Sequence, residues 1–153
     1  MTSDNSAELD RRLKALLDEG DFNVKPVGSA IYDVSFRGQL REWTVTTRLT
    51  ETWILLRTYV MRLPESAQIR TTLLQTALEI NGDLPLGKLS IEGDSLYLDI
   101  EYRTEHLDSS VLGNLLRLVV QVGDDEYPRL FRIASGDTML KALESSFQVR
   151  KPA

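Results

Sequence analysis

The chain has 153 residues, a formal net charge of −5 and no cysteine. The missing cysteines exclude disulfides, thiolate catalysis and cysteine-ligated zinc or iron–sulfur sites. The acidic balance, with a pI of about 4.9, opposes broad binding to nucleic acid or to an anionic membrane, since both need a positive surface.

Residues 1–6 are polar, with neither the basic start nor the apolar core of a signal peptide. They are expected to form a flexible tail, and the chain is expected to be cytoplasmic. Residues 8–18 carry Leu9, Leu13, Leu16 and Leu17 on one helical stripe, with Ser6 as N-cap and Gly20 as stop. Phe22 is placed under the end of that helix.

Three strands are expected next. Residues 30–36 set Tyr32, Val34 and Phe36 against Ile31 and Asp33. After a turn at Gly38-Gln39, residues 41–49 set Trp43, Val45 and Leu49 against Glu42, Thr44, Thr46 and Arg48. Beyond Thr50-Glu51-Thr52, residues 53–63 are apolar on both faces: Trp53, Leu55, Tyr59, Met61 and Leu63 on one, Ile54, Leu56 and Val60 on the other. A strand of an antiparallel sheet with one wet face alternates apolar and polar residues. This one therefore calls for a cover besides the chain's own core, and a local dimer seam or client groove supplies it better than a second helical layer. The candidate interface residues are Trp53, Ile54, Leu56, Val60, Arg62, Trp43, Tyr59 and Arg48. Aromatics and arginine are the residue types in which interfaces concentrate energy.

Pro64 ends the strand because it cannot donate to a ladder. Ser66 then caps a helix to Ile80 with Ile69, Leu73, Ala77 and Ile80 inward, and Asn81-Gly82 stops it. Gly93-Asp94 joins arms at 86–92 and 95–103 in a two-residue hairpin turn. The second arm alternates Leu96, Leu98, Ile100 and Tyr102 with Tyr97, Asp99, Glu101 and Arg103, which implies one wet face. Asp108 or Ser109 caps a third helix burying Leu112, Leu115, Leu116, Val119 and Val120. A kink is expected at Gly123. Asp124-Asp125-Glu126 then sit at a renewed helix N-terminus, with Pro128 in its first turn. Gly136-Asp137 opens a short last helix, and residues 148–153 fray. With no repeat or linker, residues 7–147 form one domain. The class is α+β: an antiparallel five-stranded sheet with helices packed mainly on one face, in the order α-β-β-β-α-β-β-α(-α).

Catalytic signals are absent or misleading. Gly82 to Lys88 fits G-x-x-x-x-G-K, but Leu89 follows where a magnesium-binding hydroxyl belongs. Pro85 removes a phosphate-cradling N–H, and the segment leaves a helix for a strand, the reverse of a phosphate loop. His106 is the only histidine and sits in a polar connection, so no histidine metal site forms. No G-x-S-x-G elbow or G-x-G-x-x-G fingerprint occurs. No enzyme, cofactor or metal is expected, nor binding to nucleic acid or membrane.

Several strings in the second half have a recognisable pattern. Leu78-Glu-Ile-Asn81 leads into Gly87-Lys-Leu-Ser-Ile91. Glu92-Gly-Asp94 opens Leu96-Tyr-Leu-Asp-Ile-Glu-Tyr102, and Ser109-Ser110 starts a helix. Asp125-Glu-Tyr-Pro-Arg-Leu130 then continues to Gly136. With the element order, they resemble the YbjN family of bacterial proteins, which shares the fold of type III secretion chaperones, over residues 8–143. The resemblance implies a curved antiparallel sheet, a homodimer and binding of client protein. These strings hold hairpin, cap and packing positions, so they bear on fold. The expected function is a non-enzymatic protein-binding module, chaperone-like or regulatory, acting as a homodimer on a protein partner of unknown identity. The alternative is a small anionic-ligand or enzymatic pocket into which Arg48, Arg57 or Arg62 converge.

Overall fold

The computed structural model of the chain describes residues 2–149. Helix α1 (Thr2–Asp18) is followed by strands β1 (Asn23–Gly28), β2 (Ile31–Arg37), β3 (Glu42–Leu49) and β4 (Trp53–Arg62). Helix α2 (Ala67–Asp83), strands β5 (Lys88–Glu92) and β6 (Ser95–Arg103), a single 3-10 turn at Thr104–His106 and helix α3 (Ser109–Val149) complete the order. The strands form one antiparallel sheet in the order β1-β2-β3-β4-β6-β5. Only β4 to β5 requires a crossover, supplied by α2; β6 then inserts between them. All three helices pack on one face of the sheet, where Val34, Trp43, Val45, Leu56 and Leu98 meet Leu13, Leu73 and Leu116.

The sheet has six strands, not five. β1 escaped the sequence because Pro26 sits inside it and only Val24 and Val27 are large apolar residues. It is an edge strand, which tolerates proline. Helix α1 begins at Thr2, so residues 2–6 are helical where a tail was expected. Ser6 is not its cap; its hydroxyl bonds Ser29 at 2.5 Å instead. Residues 148–149 belong to α3, while residue 1 and residues 150–153 of the expected tails lie outside the described residues.

Strand β4 corrects the largest expectation. Ile54, Leu56 and Val60 face the chain's own helices, and Val60 is 2% exposed. They are core, not interface. Between Tyr59 and Met61 the pairing with β6 slips by one residue, with Val60 as the extra one. This bulge turns Val60 and Met61 inward together, which accounts for Met61, while Trp53, Leu55 and Tyr59 stay on the outer face.

Helix α3 runs unbroken through Gly123, Pro128 and Gly136. Neither the renewed N-terminus nor a separate last helix exists. Packing overrides the proline. A Cβ on Gly123 would lie 2.9 Å from the Trp43 ring, so only glycine lets the helix approach this closely. Asp124 accepts from Trp43 Nε1 and the Gln39 amide, each at 2.9 Å, and Tyr127 meets the indole edge-on at 6.0 Å. Trp43 is thus fully buried and is also removed from the interface set. Asp137, expected to open a helix, instead accepts from the Ser66 and Glu65 amides at 3.1 and 3.3 Å and caps the start of α2.

Several expectations hold. Ser66 caps α2 through the Ile69 amide, Asp108 caps α3 through the Val111 amide at 2.8 Å, and Gly93, at φ 61°, makes the hairpin turn. Asn81-Gly82 does not stop α2, which continues to Asp83. Asn81 turns to β5 instead: its Oδ1 accepts from Leu89 N at 2.6 Å and its Nδ2 donates to Leu89 O at 3.0 Å.

Candidate functional site

With the helices on one side, the other face of the sheet carries no layer of its own among the described residues. Alternate residues share that face, and the pairing register sets them in rows across the strands. One row holds Asp33, Thr46, Arg57, Asp99 and Lys88; the next holds Ile31, Arg48, Leu55 and Glu101. Tyr59 and Tyr97 flank the first row, and Trp53 and Arg103 the second.

The four expected interface residues that remain exposed, Arg48, Trp53, Tyr59 and Arg62, all lie on this side of β3 and β4. Trp53 is 40% and Tyr59 44% exposed. The aromatics are braced rather than loose. Tyr59 and Tyr97 pack edge-to-face at 6.0 Å, Arg57 lies 4.7 Å over the Tyr97 ring, and Arg103 lies 5.6 Å over Trp53. Rigid aromatics lose little conformational entropy on binding, which favours them as anchors.

Charges on this face are mostly answered within it. Arg57 makes a two-pronged pair with Asp99, at 2.7 Å through Nε and 3.2 Å through Nη2, and also pairs with Glu92. Ser90 donates to the same Asp99 carboxylate. The hydrogen bond with Asp99 holds the Arg57 guanidinium above its ordinary pKa, against the opposing effect of desolvation. Asp99 is consequently buried, although the alternation of its strand placed it in water. Lys88 meets Glu101 at 3.5 Å, Arg62 meets Asp94 at 3.1 Å and Arg103 meets Glu105 at 2.8 Å. Among the described residues, Arg48 has no carboxylate partner.

These pairs weigh against the anionic-ligand alternative. Arg48 and Arg57 do line a depression, but its volume is about 240 Å³ and Asp99 and Glu101 share its wall. Small-molecule sites usually enclose about 300–1,000 Å³. Arg57 and Arg62 are committed to carboxylates, so no cluster of free cations converges. His106 is exposed, and no group of three His, Asp or Glu among the described residues is placed to hold a metal.

One arginine outside the expected set sits on the helical side, at the end of β3 and β4. The β3–β4 ladder stops at Val45 and Thr58, short of Tyr59 and Val60. Arg41 fills the gap. It donates to Val60 O at 2.7 Å and Tyr59 O at 3.1 Å, and stacks 4.1 Å over the Trp43 ring. No local signal distinguishes Arg41 from its neighbours, because the split it fills is made by the bulge. A second surface, a groove of about 470 Å³ along α3 and the end of β4, exposes Phe131 and Met139 beside Met61.

The chain matches no family model and no curated protein in sequence. Its fold is similar to that of a solved structure from the type III secretion system of Pseudomonas aeruginosa, the heterodimeric ExoU–SpcU complex. The similar chain is SpcU, a secretion chaperone: 17% identity, a TM-score of 0.51, and coverage of 76% of this chain and 94% of that one. The architecture is thus a chaperone-like α+β fold. No helix among the described residues is long and apolar enough to cross a membrane.

Proposed function

We propose that this protein is a non-enzymatic protein-binding module of chaperone-like or regulatory type, belonging with YbjN-like proteins and acting as a homodimer in the cytoplasm. The observation that carries the reading is the uncovered sheet face, where Trp53, Tyr59 and Tyr97 stand among paired charges and the uncommitted Arg48. Such a strip has the composition of an interface centre, with aromatics and arginine but few free acids. The chaperone-like fold supports a protein partner, since SpcU is found in complex with ExoU. The single-domain reading of residues 7–147 fits the continuous core beneath this face.

The test is positional. A photo-reactive side chain placed at Tyr59 is expected to cross-link protein in native lysate, while the same group at Arg129, on the helical side, does not. Equal cross-linking from both positions, or none from position 59, overturns the reading.

A further inference from the structure

We infer that the cavity between α1 and β1 is a binding site for a small zwitterion, an aliphatic α-amino acid of the size of leucine. The cavity lies on the helical side of the sheet. It is separate from the open face and does not depend on the protein-binding reading of that face.

Two periodicities bring its walls together. Asp10, Lys14, Leu17 and Asp18 recur at helical spacing on one face of α1. Val24 and Pro26, two residues apart on β1, face the same side as their ladder partners Val34 and Tyr32. Helix and strands enclose about 340 Å³, inside the range of roughly 300–1,000 Å³ usual for small-molecule sites. Tyr32, only 6% exposed, forms the inner end. Its hydroxyl donates to Asp10 at 3.1 and 3.2 Å, and Asp10 also accepts from the Ala30 amide at 2.8 Å. Asp10 is thus satisfied by the protein and holds the Tyr32 ring in place.

Lys14 and Asp18 are not satisfied in this way. Among the described residues neither forms an ion pair, although they stand four apart on one helix. Their order, cation before anion, is the weaker one for such a pair. Two opposite charges left open in one cavity match a ligand that carries both. At this spacing the Cβ atoms are about 5–6 Å apart. A molecule with both charges on one carbon bridges that span, its carboxylate on Lys14 and its ammonium on Asp18. Asp18 lies near Tyr32, since its charge adds, after burial and Asp10, to what raises the phenol pKa. The ammonium is therefore set at the acidic, Tyr32 end. Leu17, Val24 and Pro26 supply an apolar wall for an aliphatic side chain. A simple anion would face Asp10 and Asp18, and a simple cation would face Lys14, whereas a zwitterion answers both open charges.

Calorimetry on the full chain, with backbone-amide NMR to locate the site, tests this with free L-leucine as the probe. Leucine is expected to bind and to shift the amides of Leu17, Val24 and Tyr32. Leucine amide lacks the carboxylate, isocaproate lacks the ammonium and glycine lacks the apolar side chain. Each is expected to bind about tenfold more weakly or worse. Lys14→Met and Asp18→Asn, both at exposed positions, are expected to keep the fold and each to weaken leucine binding about tenfold. Asp94→Asn, on the β5–β6 hairpin, leaves it unchanged. No binding of leucine, leucine bound no better than the one-charge analogues, or indifference to both substitutions on α1 overturns the inference. Tighter binding of leucine amide than of leucine identifies a plain cation site and overturns it as well.

Discussion

Trp43 ties three parts of the chain together through one indole. Its ring lies under Gly123, its N–H bonds Asp124 on α3, and Arg41 stacks above it while reaching the β4 carbonyls. Val60 sits on the same inner side of the sheet. Val60→Glu would bury a carboxylate with no partner, and we expect a loss of more than about 3 kcal/mol in urea unfolding. Trp53→Glu, on the outer side of the same strand, is expected to change stability by no more than about 1 kcal/mol. Equal losses would contradict the assignment of faces. Tyr32 provides a pH-dependent test. Burial, and then the Asp10 carboxylate accepting from its hydroxyl at 3.1 and 3.2 Å, push its phenol above the ordinary value. The neutral form is thus favoured in the folded chain. Its contribution is complete below the unfolded tyrosine pKa of about 10 and is lost as pH rises through the higher folded value. Tyr32→Phe should flatten part of the alkaline fall in stability, and an absorbance titration of the wild type should show one late-ionising tyrosine.

Elements form here by local preference and persist by packing. Helix α2 has its Ser66 cap and its inward Leu73 and Ile80, all legible in sequence. Helix α3 contradicts its own sequence at Pro128, which lacks the N–H owed to the Asp124 carbonyl and crowds the preceding turn. The helix continues because Gly123, Asp124 and Tyr127 are all engaged by Trp43. Pro128 is exposed, so Pro128→Ala should restore the bond without opening a cavity. Stability is expected to rise by about 1–3 kcal/mol, read from thermal or urea unfolding. An unchanged or lowered midpoint would mean that the proline fixes a bend on which the Trp43 contact depends. Strand β4 poses the same kind of problem. Its period is that of a strand, yet one bulge moves Met61 from the face that strict alternation assigns to it onto the other.

At the scale of the whole molecule, one face of the sheet is covered by all three helices and the other is left to aromatics and ion pairs. Asn81 covers Leu89 on the β5 edge and Pro26 leaves the β1 edge one N–H short, two features that blunt sheet extension. The pairs Arg57–Asp99, Lys88–Glu101 and Arg103–Glu105 keep that open face soluble without a net charge of either sign. A surface of this kind avoids the repulsion that an unbalanced acidic face would impose on an acidic partner.

Sequence alone determined the α+β class, most of the element order, the Gly93-Asp94 hairpin, the Ser66 and Asp108 caps, and the inward rows at Leu96–Ile100 and Trp43–Leu49. All of these rest on contacts within a few residues or on a simple period. It also singled out β4 as the strand to watch and found Trp53, Tyr59, Arg48 and Arg62 on it or beside it. Tertiary structure alone decided which face of β4 is core, because the helices cover the Ile54, Leu56 and Val60 side and a one-residue bulge adds Met61 to it, neither of which local composition encodes. The same is true of β1, whose pairing with β2 outweighs Pro26, and of Arg41, Asn81, Asp124 and Asp137. Each of these four acts on a partner brought near only by folding, so its role is fixed by distance in space and leaves no mark on the spacing of neighbouring residues.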